Sequence, residues 1–323
     1  MNLHPTYPYF PIMIFLSFIA SLLPLAWIRR DNIGILFLAA WLATACLNQF
    51  VNSIIWYGNT RNPAPVWCDI SSRLMIGVSA AIPASALCMV RRLYLICSMK
   101  AYLLTPKEKR RALIEDLCIC IGIPLLEMTI QYVVEGNRFH IIEDIGCSPA
   151  TVNVWLAYVL FFSWPVIMGV MNAVYCVLTL RAVIKKGKDI NQFFSDNSQR
   201  KHYRRLIILS VCELTFAFPF ALLVMILNLI TVPMVSHFDW VDVHSHYSRI
   251  YLFPASSWRS DVLVEANLEM CRWILVLCAI VFYGVFGFSE EAINAYRRAF
   301  WRVAGLVGMK PKVPSPSTDT PPK

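Results

Sequence analysis

The chain is patterned as long apolar blocks broken by short polar stretches, not as an alternation of polar and apolar positions. Seven blocks reach about the 20 residues that a helix needs to cross a hydrocarbon core of roughly 30 Å. They cover 7–28, 33–57, 68–98, 112–134, 151–181, 204–231 and 265–288, and are numbered spans 1 to 7 in chain order. Away from the ends of the blocks, only isolated charges interrupt the later ones: Glu127 in span 4, Glu213 in span 6, Glu269 and Arg272 in span 7. The pattern predicts an all-α fold, a seven-transmembrane helix bundle over 1–288. After span 7 the period changes. Over 289–303, Ala292, Ala295, Tyr296, Ala299 and Phe300 fall on one side of a helix, and Arg297, Arg298 and Arg302 supply charge. A short amphipathic helix lying on a membrane of anionic lipids is expected there. The residues 304–323, rich in Pro, Ser and Thr, read as a disordered cytoplasmic tail.

Composition supports lipid as the main solvent. Of the 323 residues 58% are apolar and 15% charged, with a mean hydropathy of +0.56; an ordinary soluble domain carries roughly 25% charged residues. Disorder, a collagen-like chain and a soluble enzyme of usual composition are excluded. The net charge of +9 would suggest nucleic acid in a soluble protein. Its distribution says otherwise. Of 29 Lys and Arg, 23 lie in the C-terminal tail and in the loops 1–2, 3–4 and 5–6 counted with their adjoining helix ends, and four in the alternate segments. Basic residues stay in the cytoplasm, so the N-terminus is expected outside and the C-terminus inside. Met1 to Pro8 holds no Lys or Arg, so span 1 reads as an uncleaved, N-out span and not a signal peptide.

Eleven cysteines are present, most of them inside spans, where they act as small apolar fillers. Cys68, at the outer entrance of span 3, and Cys147, in the acidic loop Glu143-Asp144-Ile145-Gly146-Cys147, are the two in outer segments. The exterior is oxidising, so a bridge is expected; two free thiols are the alternative. Asn48 and Asn52 share one face of span 2 and read as interhelical hydrogen-bonding groups. Asp69 and Arg73 on span 3, with Glu269 and Arg272 on span 7, could line a polar floor under an outer pocket or form mutual ion pairs. Prolines 24, 83, 124, 165 and 219 sit in spans 1, 3, 4, 5 and 6. Pro219 is a candidate pivot, with a static kink as the alternative. The loop 6–7, with Trp240, Tyr247, Tyr251, Phe253 and Trp258, reads as a lid or an apolar contact surface. His244 and His246 have the spacing of a metal pair but lack further ligands.

Phosphate loop, nucleophile elbow, zinc-protease motif and paired catalytic carboxylates are all absent from the sequence, so neither an enzyme nor a cofactor is expected. Arg91, Arg92 and Tyr94 end span 3. Lys185 and Lys186 follow span 5, and Arg200, Lys201, Arg204 and Arg205 lead into span 6. Topology and lipid headgroups explain these positives; a docking surface for an acidic cytosolic partner is the functional reading.

Local motifs then resemble one family. The Asp/Glu-Arg-Tyr and Asn-Pro-x-x-Tyr motifs of the largest receptor class are missing. The pieces Asn52-Ser53-Ile54-Ile55-Trp56, Trp67-Cys68-Asp69-Ile70, Arg91-Arg92-Leu93-Tyr94, Gly146-Cys147-Ser148-Pro149, Trp240-Val241-Asp242-Val243-His244 with Pro254 and Trp258, and Gly287-Phe288 with Glu290-Glu291-Ala292 are present. In order and spacing over 7–303 they resemble the fungal mating-pheromone receptors of the a-factor type, class D G-protein-coupled receptors. The resemblance implies a plasma-membrane receptor for a secreted, prenylated peptide pheromone, coupled to a heterotrimeric G protein and a mating MAP-kinase cascade. The chain's own residues are compatible with such a ligand: Trp155, Tyr158, Phe162, Phe216 and Trp240 could serve the lipid, and Asp69, Arg73, Glu269 and Arg272 the peptide. The basic residues at the inner ends of spans 3, 5 and 6 would meet the G protein. A homodimer is a further candidate assembly. An orphan relative without a mating ligand, and a seven-span transporter, remain as alternatives. Many family members carry a long cytoplasmic tail; here the chain stops about 20 residues past the surface helix, which reads as a fragment or short isoform and leaves Ser315, Ser317, Thr318 and Thr320 little room for phospho-regulation.

Overall fold

The computed structural model describes residues 6–28, 32–98, 105–193, 197–235 and 237–306. Arg29, Arg30 and the tail from 307 onward, with its serines and threonines, lie outside the described residues, as do the side chains of Lys186, Arg200 and Glu213. Seven helices are long and apolar enough to cross a membrane: Tyr9–Ala26, Ile33–Ile55, Pro65–Cys97, Pro106–Val134, Trp155–Lys185, Arg204–Thr231 and Val262–Phe286. Several begin before the apolar block does, because capping chemistry sets a helix start and hydropathy does not. Thr105 and Glu108 form a capping box ahead of span 4, with Thr105 N donating to Glu108 Oε2 at 2.7 Å and Pro106 in the first turn. Asp261 caps span 7 by accepting from Leu263 N at 2.8 Å.

The prolines leave a regular mark. A widened π-turn, Cys118–Gly122, precedes Pro124; another, Tyr158–Phe162, precedes Pro165; a third, Glu213–Ala217, precedes Pro219. Proline lacks the N–H for the usual i→i−4 bond and its ring crowds the carbonyl one turn back. One extra residue in that turn relieves the crowding. Spans 4, 5 and 6 each carry such a joint. In span 3, by contrast, Pro83 sits inside an α-helix that runs unbroken over Pro65–Cys97, and Asn172 of span 5 donates to its carbonyl at 3.5 Å.

Span 3 is the most enclosed helix and span 6 the least. The main core joins spans 1, 2, 3 and 7 through Phe10, Ile14, Leu42, Met89, Ala279 and Phe282, with spans 5 and 6 reaching it through Cys176, Leu206 and Leu209. Spans 2 and 3 touch backbone to backbone at Gly34, where a Cβ would stand 2.6 Å from Met89 N and 2.7 Å from Ser85 O. Only glycine fits there.

The bundle is all-α, as expected. The loops 4–5 and 6–7 add a small sheet that hydropathy does not show. Strand β1 (His140–Ile142) pairs antiparallel with β2 (Gly146–Ser148), and parallel with β3 (Tyr251–Phe253) from the loop 6–7. Strands this short carry no readable period; what makes them is that two loops lie over one another and satisfy each other's backbone groups. After the last span, a helix runs over Glu290–Leu306.

Candidate functional site

The cap formed by the loops 4–5 and 6–7 is built on the disulfide between Cys68 and Cys147, whose Cα atoms are 5.2 Å apart. Around it Trp56, Phe139 and Ile141 form a buried cluster. The next residue of β1, Ile142, points to the opposite face, as strand geometry requires, and packs with Ile145 and Trp258 against Val264 and Leu268 of span 7. The cap therefore ties span 3 to span 7 through the hairpin.

Its turn is acidic for a structural reason. Asp144 adopts φ 68°, accepts from Gly58 N at 2.9 Å and from the Arg259 guanidinium at 2.7 Å, and donates its own N–H to Trp56 O at 3.0 Å. Glu143 accepts from Ala255 N at 2.7 Å. Two carboxylates thus fasten the hairpin to the end of span 2 and to the loop 6–7. Below it, Asn52 is fully buried, donates to Ser71 Oγ at 2.9 Å and accepts from Trp67 Nε1 at 2.8 Å. Gly146 (φ 103°) sits directly on it; a Cβ there would stand 2.6 Å from Asn52 Cβ. Asn52 therefore joins spans 2 and 3 and seats the hairpin.

The four charged residues named for either a polar floor or mutual ion pairs fall into separate networks, and only Glu269 and Arg272 pair with each other. Asp69 pairs with Arg138 of the loop 4–5. Arg73 pairs with Glu135, bonds Gln131, and donates to Met128 O at 3.3 Å. Glu269 instead pairs with Arg272 one turn away at 2.6 Å and accepts from Trp273 Nε1 at 3.0 Å. The Arg272 guanidinium lies 4.0 Å from the centre of the Phe10 ring, and lines a small cavity with Tyr7, Ser53, Tyr57 and Asp144. Charges in a low-dielectric wall find the nearest opposite charge, and here those partners lie in the loop 4–5 or on the same helix. Glu135, which sequence reasoning missed, is the hub of the larger network. It is buried, and accepts from Tyr247 Oη of the loop 6–7 at 3.1 Å. Burial pushes its carboxyl up from the usual value, and the Arg73 guanidinium holds it back down. Its place just beyond the fourth apolar block was the available signal.

The lid expected from the loop 6–7 aromatics covers the loop 4–5. Trp258 is buried, Tyr247 is half-buried, and Trp240 and Tyr251 are exposed. His244 stacks on Trp240 at 4.0 Å and approaches Tyr132 O at 3.0 Å through Nε2. Among the described residues no group of three or more His, Cys, Asp or Glu could hold a metal. The aromatics named for a lipid slot are only partly brought together. Tyr158 and Phe162 lie 5.1 Å apart, Phe162 packs in a cluster with Phe238, and Trp155 and Phe216 are exposed.

At the other end, three of the basic residues named for an acidic partner are engaged within the chain. Arg91 pairs with Asp116 at 2.8 Å and Glu115 at 3.0 Å, clasping span 3 to span 4. Lys201 pairs with Glu290, and Arg205 approaches Glu291 at 3.7 Å. Arg92 is half-buried, Tyr94 stands 6.0 Å from Tyr175, and Lys185 and Arg204 are exposed. Pro219 is exposed, at the start of the helical segment Phe218–Thr231 of span 6.

A chain of seven apolar helices whose loop 4–5 is stapled to span 3 by a disulfide belongs to the multi-pass membrane proteins of seven-helix build. Its sequence matches the profile of the pheromone A receptor family over residues 9–305, and the chain belongs to that family, whose members are signalling receptors and not enzymes. It is 42% identical over 323 residues to the pheromone B alpha 2 receptor of Schizophyllum commune, covering 99% of this chain and 50% of that protein. It is 32% identical to pheromone receptor 1 of Mycosarcoma maydis, covering 90% of this chain and 83% of that protein. The pheromone a factor receptor of Saccharomyces cerevisiae is 25% identical, over 85% of this chain and 58% of that protein. The chain thus spans half the length of the Schizophyllum receptors it matches.

Proposed function

We propose that the protein is a plasma-membrane G-protein-coupled receptor for a secreted, prenylated peptide mating pheromone, and that it activates a heterotrimeric G protein feeding a mating MAP-kinase cascade. The observation that carries this reading is the family match running through all seven spans. The segregation of 23 basic residues from four supports an orientation with the N-terminus outside and residues 1–288 as the receptor domain. The helix Glu290–Leu306 then lies along the inner leaflet, its Arg297, Arg298 and Arg302 toward anionic lipid and the tail beyond it in the cytoplasm.

On this reading the outer cap is the recognition surface. The exposed Trp155, Phe216 and Trp240, together with the neighbouring pair Tyr158 and Phe162, serve the lipid. Asp69, Arg73, Glu269 and Arg272 serve the peptide by exchanging partners, since each is already paired. Ligand binding favours one of two bundle arrangements, and the joint ahead of Pro219 lets the inner end of span 6 move relative to its outer end.

The test is expression in a yeast strain lacking its own receptor, with candidate prenylated peptides applied and G-protein-dependent reporter output measured. Output that requires both the peptide and its prenyl group is expected. Silence with every peptide, despite confirmed surface expression, would assign the chain to the orphan relatives.

A further inference from the structure

Lys201 and Arg205 are four residues apart at the inner end of span 6 and share one helix face. That face is filled by the chain's own acidic pair. Glu290 meets Lys201, and Glu291 lies 3.7 Å from Arg205. The two carboxylates are presented from a fixed position. They open the terminal helix, where acidic residues complement the exposed N–H groups. Ser289 Oγ accepts from Ala292 N at 2.9 Å, and Ala292 is fully buried. Trp27 Nε1 donates to Phe286 O at 3.2 Å, and the Tyr283 and Tyr296 hydroxyls meet at 2.9 Å, folding the helix back against spans 1 and 7.

We propose that Glu290–Glu291 is a built-in competitor for a docking site formed by Lys201 and Arg205, and that this site takes a segment of the cytosolic partner bearing adjacent carboxylates. The chemistry of the partner is read from what already occupies the site. The identity of that partner as a G protein rests on the receptor reading; the site itself does not. The lock is built to be released. Lys201 and Glu290 are 45% and 54% exposed, and exposed pairs are individually weak and screened by salt. A partner segment with more carboxylates than the diglutamate displaces it, and span 6 then parts from the terminal helix. The Arg91 clasp on span 3 differs, because Asp116 is nearly buried and holds through that exchange.

The experiment uses the full chain in nanodiscs of neutral phosphatidylcholine, titrated at low salt with a fluorescent pentaglutamate peptide. The double variant E290Q/E291Q is expected to bind the probe at least fivefold more tightly than the wild type. Adding K201Q/R205Q to it removes the gain, while the thermal unfolding midpoint of each variant stays near that of the wild type. Unchanged affinity in E290Q/E291Q overturns the inference. So does an equal gain from E108Q, an exposed inner carboxylate remote in sequence from the lock, because that result reports a general change of field. Neither pheromone nor G protein enters this assay, so it and the reporter assay fail independently.

Discussion

A guanidinium in the wall of a membrane bundle is tolerated only with its charge and hydrogen-bonding groups answered, and Arg73 meets that condition through Glu135. Sequence reasoning places Arg73 as a ligand contact, so Arg73→Ala should weaken the pheromone response and spare surface level. The structure changes that expectation. Removing Arg73 leaves Glu135 buried without its cation, a loss on the order of 3–5 kcal/mol. Arg73→Ala should therefore lower surface expression and thermal stability. The double variant Arg73→Met with Glu135→Leu should recover most of both. Equal surface levels in the single variant and the wild type would show that the pair is not structural. His140 carries a second residue-scale consequence. It stands 5.2 Å from Phe253 and 6.0 Å from Tyr251, and burial pushes its imidazole down from 6.5 to about 4. The folded value lies below the unfolded one, so the contribution to stability is whole above pH 6.5 and is lost as the pH falls toward 4, where the unfolded chain takes up a proton that the folded one excludes. Glu135, with its carboxyl pushed up, runs the other way. The comparison of wild type with His140→Phe isolates the imidazole: the wild-type melting temperature should fall more steeply between pH 6.5 and 4 than that of the variant.

Among the elements, spans 4 to 6 differ from the rest by their π-turns ahead of Pro124, Pro165 and Pro219. Each proline was visible in the sequence, but whether it bends its helix was not. Pro83 has the same chemistry and lies in an unbroken α-helix, held within the most enclosed span. Span 6 has the least packing to resist a change of shape. Pro219→Ala restores the missing N–H and lets the joint close into a regular turn. The variant should match or exceed the wild type in thermal stability, while maximal reporter output falls several-fold at equal surface level. Full output from a straightened helix would remove the pivot role. Helix starts teach a related lesson. Thr105, Pro106 and Glu108 spell a capping box that lies before the fourth apolar block, so a reading by hydropathy begins that helix late.

For the whole molecule, the receptor reading requires an odd number of crossings. Epitope tags at the two termini should be accessible from opposite faces of intact cells, the N-terminal tag from outside. Access to both from one side would remove the signalling interpretation. The number of spans, the basic asymmetry and the two cysteines of the outer segments were all legible, because the bilayer imposes a length and a charge rule on any chain that crosses it. These rules act on local sequence and need no knowledge of neighbours. The pairing of charges was decided only by tertiary structure. Asp69 finds Arg138 across 69 positions, Arg73 finds Glu135 across 62, and Lys201 finds Glu290 across 89. No periodicity records such distances, since each depends on how loops fold over helices that the sequence merely counts. The same holds for the sheet of the outer cap, whose three strands become strands only by lying beside one another. What the chain determines by itself is its solvent and its crossings; which polar groups meet is set by packing, because a buried charge takes the partner that geometry brings within reach.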